Sequence, residues 1–130
     1  MLWNKSLELG IPAIDDQHKE LFRQIDILFD RNNADRVPQT LKFLGEYVEK
    51  HFRDEQLIHI RARYPKAAPH RKLHADFVAA FKKLKEEYDK GSDKLPVLLK
   101  INKTAASWLK GHILVHDKEF AVYYKENSPK

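Results

Sequence analysis

Four stretches of the chain repeat apolar side chains at intervals of three and four residues, the spacing of one buried face on an α-helix. The first carries Leu21, Phe22, Ile25, Leu28 and Phe29, and the second Leu41, Leu44, Val48, Phe52 and Ile58. The third runs through Leu73, Phe77, Val78, Phe81, Leu84 and Tyr88. The fourth runs through Leu98, Leu99, Ile101, Trp108, Leu109, Ile113, Phe120 and Tyr124. Pro12, Pro38, Pro65 with Pro69, and Pro96 bound these stretches, and Pro129 sits at the end. Proline is accepted in a helix's first turn or outside it, so each stretch can be one long helix. Asp15 or Asp16 can cap the first start, Gly45 lowers propensity inside the second helix without having to end it, and Gly91 stops the third. Period-two alternation is scarce, and no Asn-Gly or Asp-Gly hairpin turn occurs. Short connections make sequential helices antiparallel. The pattern predicts an all-α, up-down-up-down four-helix bundle with an N-terminal arm of about a dozen residues, folded as one domain over residues 1–130.

Composition narrows this picture. At 42% hydrophobic and 33% charged, the chain has the balance of a soluble globular domain rather than a disordered one. No apolar run approaches the roughly 20 residues that a membrane span needs, and the first residues lack a signal-peptide layout. Cysteine is absent, which removes disulfides, thiolate ligands and thiol nucleophiles, and fits a cytoplasmic location. The net charge of +5 is interleaved with acids, as in Lys82-Lys83-Leu84-Lys85-Glu86-Glu87. That run reads as a solvated helix face with pairs such as Lys82–Glu86, and no groove-entering motif points to nucleic acid.

The polar residues on the apolar seams carry the chemistry. Most of the seven histidines fall into clusters: His18 alone, His51 with Glu55, His70 with His74, and His112 with His116 and Asp117. A gap of four residues is about 400° of helical rotation, so such pairs point the same way one turn apart. His18 begins the inward stripe of the first helix. In the second, the seam 41, 44, 48 continues through His51 and Glu55 to Ile58 or His59, and in the third His70 and His74 lead down to Phe77 and Phe81. A carboxylate on a core-facing seam is costly unless it is paired or metal-bound. The fourth helix leaves a choice open. His112 and His116 have ligand spacing, whereas Asp117 is about 140° out of register with His112 unless the backbone widens locally, as in a π-type bulge.

With five imidazoles and two carboxylates as candidates and no sulfur, the set is too large for one tetrahedral zinc. It suits two adjacent ions bridged by carboxylates, iron or manganese above others. A ferritin-like centre would need several seam glutamates and paired Glu-x-x-His motifs, whereas this chain offers Glu55 and no such pair.

The order His18, His51-Phe52-Arg53-Asp54-Glu55, His70-Arg71-Lys72-Leu73-His74 and His112-Ile113-Leu114-Val115-His116-Asp117 resembles the hemerythrin signature. The lead-in Trp3, Gly10-Ile11 and Ile14-Asp15-Asp16-Gln17-His18, with Tyr64-Pro65 before His70, is similar to the bacterial branch, the bacteriohemerythrins. The resemblance implies two iron ions and an oxo or hydroxo bridge. His70, His74 and His112 would hold one iron, His18 and His51 the other, and Glu55 and Asp117 would bridge them. It selects Asp117 over His116, leaving His116 a non-ligand. The implied activity is reversible dioxygen binding for carriage, storage or delivery, end-on at the less saturated iron as hydroperoxide.

The same resemblance places Leu21, Phe52, Trp108 and Ile113 around the oxygen pocket; Leu114, near His112 in sequence, could line a gas route. Gln56 and His59 stand where the bacterial family commonly has Glu and Met. His59 reads as a surface or hydrogen-bonded residue; turned inward, it would join the pocket and could supply a proton that speeds autoxidation. The expected protein is a non-enzymatic monomer, with an oxygen-consuming enzyme as a candidate delivery target. The competing readings are a di-iron peroxidase, a nitric oxide-handling enzyme, and an oxygen- or iron-sensing module.

Overall fold

The computed structural model describes residues 3–28, 30, 35–91 and 93–127. Phe29, at the end of the first apolar stripe, and Pro129 lie outside them. Helix α1 spans Pro12–Leu28, α2 Val37–Arg61, α3 Ala67–Lys90 and α4 Lys94–His112, which passes through a π-helical segment, Ile113–Asp117, into α5, Lys118–Asn127. The four long elements pack in a ring, α1 on α2, α2 on α3, α3 on α4 and α4 back on α1. Among the described residues there is no strand, and no helix is long and apolar enough to cross a membrane. The architecture is the antiparallel four-helix bundle that the seams predict.

Each seam buries the side chains that its period selects. Leu21, Phe22 and Ile25 from α1, Leu41, Leu44 and Val48 from α2, and Phe77 and Phe81 from α3 lie in one continuous core. Burying a side chain of this size stabilises the fold by about 1.5–3 kcal/mol. Gly45 stays within α2, where Phe81 Cε1 lies 3.2 Å from the position a Cβ would take, so the missing side chain permits a close α2–α3 approach. Two surface expectations change. Leu99 turns to solvent, and Lys82 meets Glu49 across the α2–α3 groove at 3.1 Å rather than Glu86 on its own helix. Among the described residues, the intrahelical lysine–aspartate pairs at four-residue spacing are Lys50–Asp54, Lys72–Asp76 and Lys85–Asp89.

The N-terminal arm is pinned over one end of the bundle. After a 3-10 turn at Lys5–Leu7, the residues Leu7, Leu9 and Ile11 are buried. Helix α1 begins at Pro12, ahead of both candidate caps. Asp15 instead reaches back, its carboxylate accepting the amides of Leu9 at 2.8 Å and Gly10 at 3.0 Å. Gly10, with φ of 80°, makes the bend into the helix.

Helix α2 ends in a Schellman motif. The amide of Arg63 donates to Ile60 O and that of Tyr64 to His59 O, with Arg63 in the left-handed region at φ 56°. Tyr123 Oη donates to the Ala62 and Arg63 carbonyls at 2.8 and 2.9 Å and braces the turn from α5. A side chain in the left-handed region costs about 1 kcal/mol that glycine avoids. Arg63→Gly is therefore expected to raise the unfolding free energy by about 0.5–1 kcal/mol in urea titrations, and a loss of stability would contradict this.

Candidate metal centre

Towards the end of the bundle where α1 and α3 begin and α2 finishes, the apolar seams give way to buried imidazoles and carboxylates. His18, His51, Glu55, His59, His70, His74, His112 and Asp117 are all buried, and Glu55 has no exposed surface. Helix α2 supplies His51, Glu55 and His59 one turn apart, so its seam continues to His59 rather than Ile58, which is only partly buried. Helix α3 supplies His70 and His74 from its first two turns, and α1 supplies His18.

The fourth ridge resolves the ambiguity between His116 and Asp117. The π segment Ile113–Asp117 inserts one residue into the turn, which carries Asp117 under His112 despite the five-residue gap. The bond pattern at its end is mixed, the Lys118 amide meeting both Ile113 O and Val115 O. Asp117 Oδ1 lies 3.2 Å from His112 Nε2 and 3.0 Å from His70 Nε2. His116 is displaced sideways to a half-buried position facing a surface groove with Tyr64, Pro69 and Glu119.

Five residues, Glu55, His70, His74, His112 and Asp117, place one donor atom each within 4.8 Å of one another. His112 Nε2 lies 2.9 Å from His70 Nε2 and 3.0 Å from His74 Nε2. One imidazole nitrogen carries at most one proton, so His112 cannot satisfy both neighbours and Asp117 by hydrogen bonding. An octahedral ion with bonds of about 2.1 Å separates adjacent donors by about 3.0 Å, which is the spacing seen. On the other side, His18 Nε2 lies 3.3 Å from Asp117 Oδ2 and the His18 and His51 rings lie 4.7 Å apart, while Glu55 Oε2 is shared, 3.8 Å from His51 Nε2 and 3.4 Å from His74 Nε2. Asp117 thus presents one oxygen to His70 and His112 and the other to His18.

Both oxygens of Glu55 and Asp117 and both nitrogens of His18 are buried without a hydrogen-bond partner. Leaving so many polar atoms unsatisfied costs on the order of 1–3 kcal/mol each, more where charged. Cations shared among them remove that cost, so the donor set fits a metal centre.

Electrostatics favour the same reading. Burial holds His51 at about 3, helped by the neighbouring His18. Burial likewise lowers His74 and His112, with neighbouring histidines adding to the effect. Burial, then His70, bring His59 to about 4. These rings stay neutral, with lone pairs free for a metal. Burial and then the Asp117 carboxylate raise Glu55 well above the usual carboxylate range. Burial pushes Asp117 up too, but the His112, His18 and His70 nitrogens around it prevail and hold it well below that range.

Outer groups orient the rings. His51 Nδ1 donates to Gln17 Oε1 at 2.7 Å, and Gln17 Nε2 donates to Asp54 Oδ2 at 2.8 Å, which fixes the tautomer that turns Nε2 inward. The Gln56 amide nitrogen lies 3.3 Å from His74 Nδ1; if His74 Nε2 serves the centre, Nδ1 carries the proton and the Gln56 amide is turned over so that its oxygen accepts it. Phe52 stacks on His74 at 3.8 Å, and Trp108 on His112 at 4.4 Å. Sequence patterning gave no role to Gln17, because a glutamine beside a seam histidine carries no periodic signal.

Of the remaining candidates, Leu21, Phe52 and Ile113 are buried and Trp108 is partly buried against the core. Leu114 is 43% exposed and stands apart from them on the outer surface. His59 is buried, with no hydrogen-bond partner at either nitrogen, which corrects its reading as a surface or hydrogen-bonded residue.

Comparison with known proteins agrees with this geometry. Residues 9–123 match the family model described as the hemerythrin HHE cation binding domain. The chain is 31% identical to the myohemerythrin of Theromyzon tessulatum over 111 residues, covering 85% of this chain and 82% of that protein. It is 29% identical to myohemerythrin-1 of Phascolopsis gouldii, covering 92% and 90% of the two chains. It is 28% identical to the bacteriohemerythrin of Clostridium acetobutylicum, covering 92% and 97%. A match across the bundle, together with imidazoles from four helical segments converging on two buried carboxylates, shows that the chain belongs to the hemerythrin family.

Proposed function

We propose that this chain is a reversible dioxygen binder with a di-iron centre, acting as a cytoplasmic monomeric carrier or store rather than as an enzyme. The observation that carries the reading is the unequal division of imidazoles about the two carboxylates. His70, His74 and His112 gather on one side, and His18 and His51 stand on the other. In this reading the first three would hold one iron and the other two the second, with Glu55 and Asp117 shared between them. Ferrous iron held there would supply the electrons for dioxygen, and the side with two imidazoles would leave it room to bind.

The protein's own residues shape what happens there. Gln17 and Asp54 fix the His51 ring, and Trp108 braces His112 by stacking. Leu21, Phe52, Trp108 and Ile113 form the proposed pocket wall. Their side chains exclude water and offer no acidic proton, apart from the weakly acidic indole N–H, so they favour release of intact dioxygen over its cleavage. The whole family match lies within one bundle, which supports a single domain.

The test is to load the protein anaerobically with ferrous iron, admit air, and then remove the oxygen. A visible charge-transfer band that appears and reverses over several cycles is expected. Immediate and irreversible oxidation would replace this reading with a peroxidase or nitric oxide-handling enzyme. Fewer than about two irons per chain after loading would remove the di-iron centre itself.

A further inference from the structure

We propose that the groove between α2 and α3 beside His74 docks a small electron-carrier protein with an acidic face, which returns the oxidised centre to its ferrous form. The inference rests on the di-iron reading and adds to it a partner and a point of electron entry. It leaves the ligand set and the room for dioxygen as they stand. A ferrous centre exposed to dioxygen needs a source of electrons whenever it is oxidised, and a chain without cysteine holds no thiol to supply them.

His74 is the ring through which the groove meets the centre. Its Nε2 lies 3.4 Å from Glu55 Oε2 and 3.0 Å from His112 Nε2, while its Nδ1 lies 3.3 Å from the Gln56 amide nitrogen. Gln56 and His74 both line an open groove of about 590 Å³ on the side of the bundle. One imidazole therefore spans the interval from groove to centre. The other proposed ligands offer no such entry. His18 is fully buried, the outer nitrogen of His51 is bonded to Gln17, and Trp108 stacks over His112. His70 lines a second groove, but both lysines there are neutralised, Lys66 by Glu119 at 2.6 Å and Lys72 by Asp76 at 3.1 Å.

The α2–α3 groove differs in its charge. Arg53 stands on its α2 side and Arg71 on its α3 side, both exposed, and among the described residues neither forms an ion pair or a side-chain hydrogen bond. Lys82 is offset by Glu49 at 3.1 Å, so the two guanidiniums remain as net positive charge. The chain as a whole carries +5, the sign that attracts an acidic partner. On the α3 wall Ala75 and Ala79 are exposed, and small side chains there let a partner's surface come close to the buried Phe52 and the His74 ring stacked on it. A short apolar strip flanked by cations suits the weak encounters of electron-transfer proteins, which bury less than about 1,200 Å². The groove is open and buries neither guanidinium, so it does not enclose a small anion, whereas a broad acidic face meets both arginines at once. Each docking would pass one electron from the partner's reduced cofactor, by way of His74, to a ferric ion. The partner is oxidised, the ion becomes ferrous, and two such dockings restore the pair.

Flavodoxin, a small acidic flavoprotein, serves as the probe. Calorimetry of oxidised flavodoxin with iron-loaded, air-oxidised protein reads docking alone, because neither partner has an electron to pass. Wild type is expected to bind, and to bind more weakly as salt rises. Arg53→Glu with Arg71→Glu is expected to weaken binding by about 10-fold or more. Lys42→Glu with Lys83→Glu makes the same change of charge elsewhere on α2 and α3, and should shift binding by less than about 3-fold. On anaerobic mixing with reduced flavodoxin, the ferric absorption of wild type should bleach about 10 times faster than that of the arginine variant. No binding by wild type, or equal losses in the two double variants, would overturn the docking surface. Docking without reduction would overturn electron entry beside His74. A wild type that is reduced in this way yet fails to bind dioxygen reversibly would leave the surface standing and remove the carrier reading.

Discussion

Asp117→Asn is expected to lose most of its iron, while His116→Ala, altered one residue away, loads like wild type. The asparagine would keep the shape of the side chain but not its charge. Asp117 stands 3.0 Å from His70, 3.2 Å from His112 and 3.3 Å from His18, so its carboxylate touches both sides of the centre. Loss of an outer-shell partner typically costs 10–100-fold in metal affinity, so loss of a bridging carboxylate should exceed about 100-fold. His116 faces the outer groove, and its removal leaves every one of these distances in place. Iron per chain after anaerobic loading and desalting, with affinity from chelator competition, measures both. A fully loaded Asp117→Asn, or a depleted His116→Ala, would show that the π segment does not select the ligand.

That pair also marks where sequence reading stops. The seams of α1 to α3 follow a fixed period, so His18, His51, Glu55, His70 and His74 could be placed on inward faces from spacing alone. The fourth helix breaks the rule at the site itself. An ideal helix carries His116 under His112, and only an inserted residue brings Asp117 there. Family resemblance supplied the choice that periodicity could not make. His59 was obscure for another reason, because position 58 and position 59 both fit the edge of a 3.6-residue stripe. The end of the helix decides between them: Arg63 enters the left-handed region, Tyr64 locks the His59 carbonyl, and the ring is fixed inward. No glycine marks this C-terminus, so the usual sequence signal for such a turn is missing. Gln17 and Gln56 are legible only after the rings they orient have been placed.

Metal-free protein is expected to lose stability steeply as the pH falls from 7 to 5. Burial lowers His51 to about 3 and His59 to about 4, and it lowers His74 and His112 in the same direction. In the unfolded chain each titrates near 6.5. Below that pH the unfolded state takes up protons that the native rings refuse, so the stability they contribute is lost as pH falls towards the native values. A ring that stays neutral in the native state contributes about 1.4 kcal/mol per pH unit below 6.5, so His51 and His74, lowered furthest, contribute on the order of 3 kcal/mol per unit, and His59 and His112 add in the same direction. Glu55 works the other way. Its native value is raised, so it contributes stability at low pH that is lost as pH rises through that value. One carboxyl opposes four imidazoles, and Asp117, held low, adds to the acid loss only below its unfolded value near 3.8. A domain near the lower end of the usual margin of about 5–15 kcal/mol should therefore approach unfolding within about two pH units below 6.5. A metal ion that binds only the native, unprotonated site should shift this acid transition downwards. Urea titrations of chelator-stripped and iron-loaded protein at pH 7, 6 and 5 measure both effects. A stripped protein whose stability changes by less than about 1 kcal/mol across that range would mean that the imidazoles are not held neutral by burial.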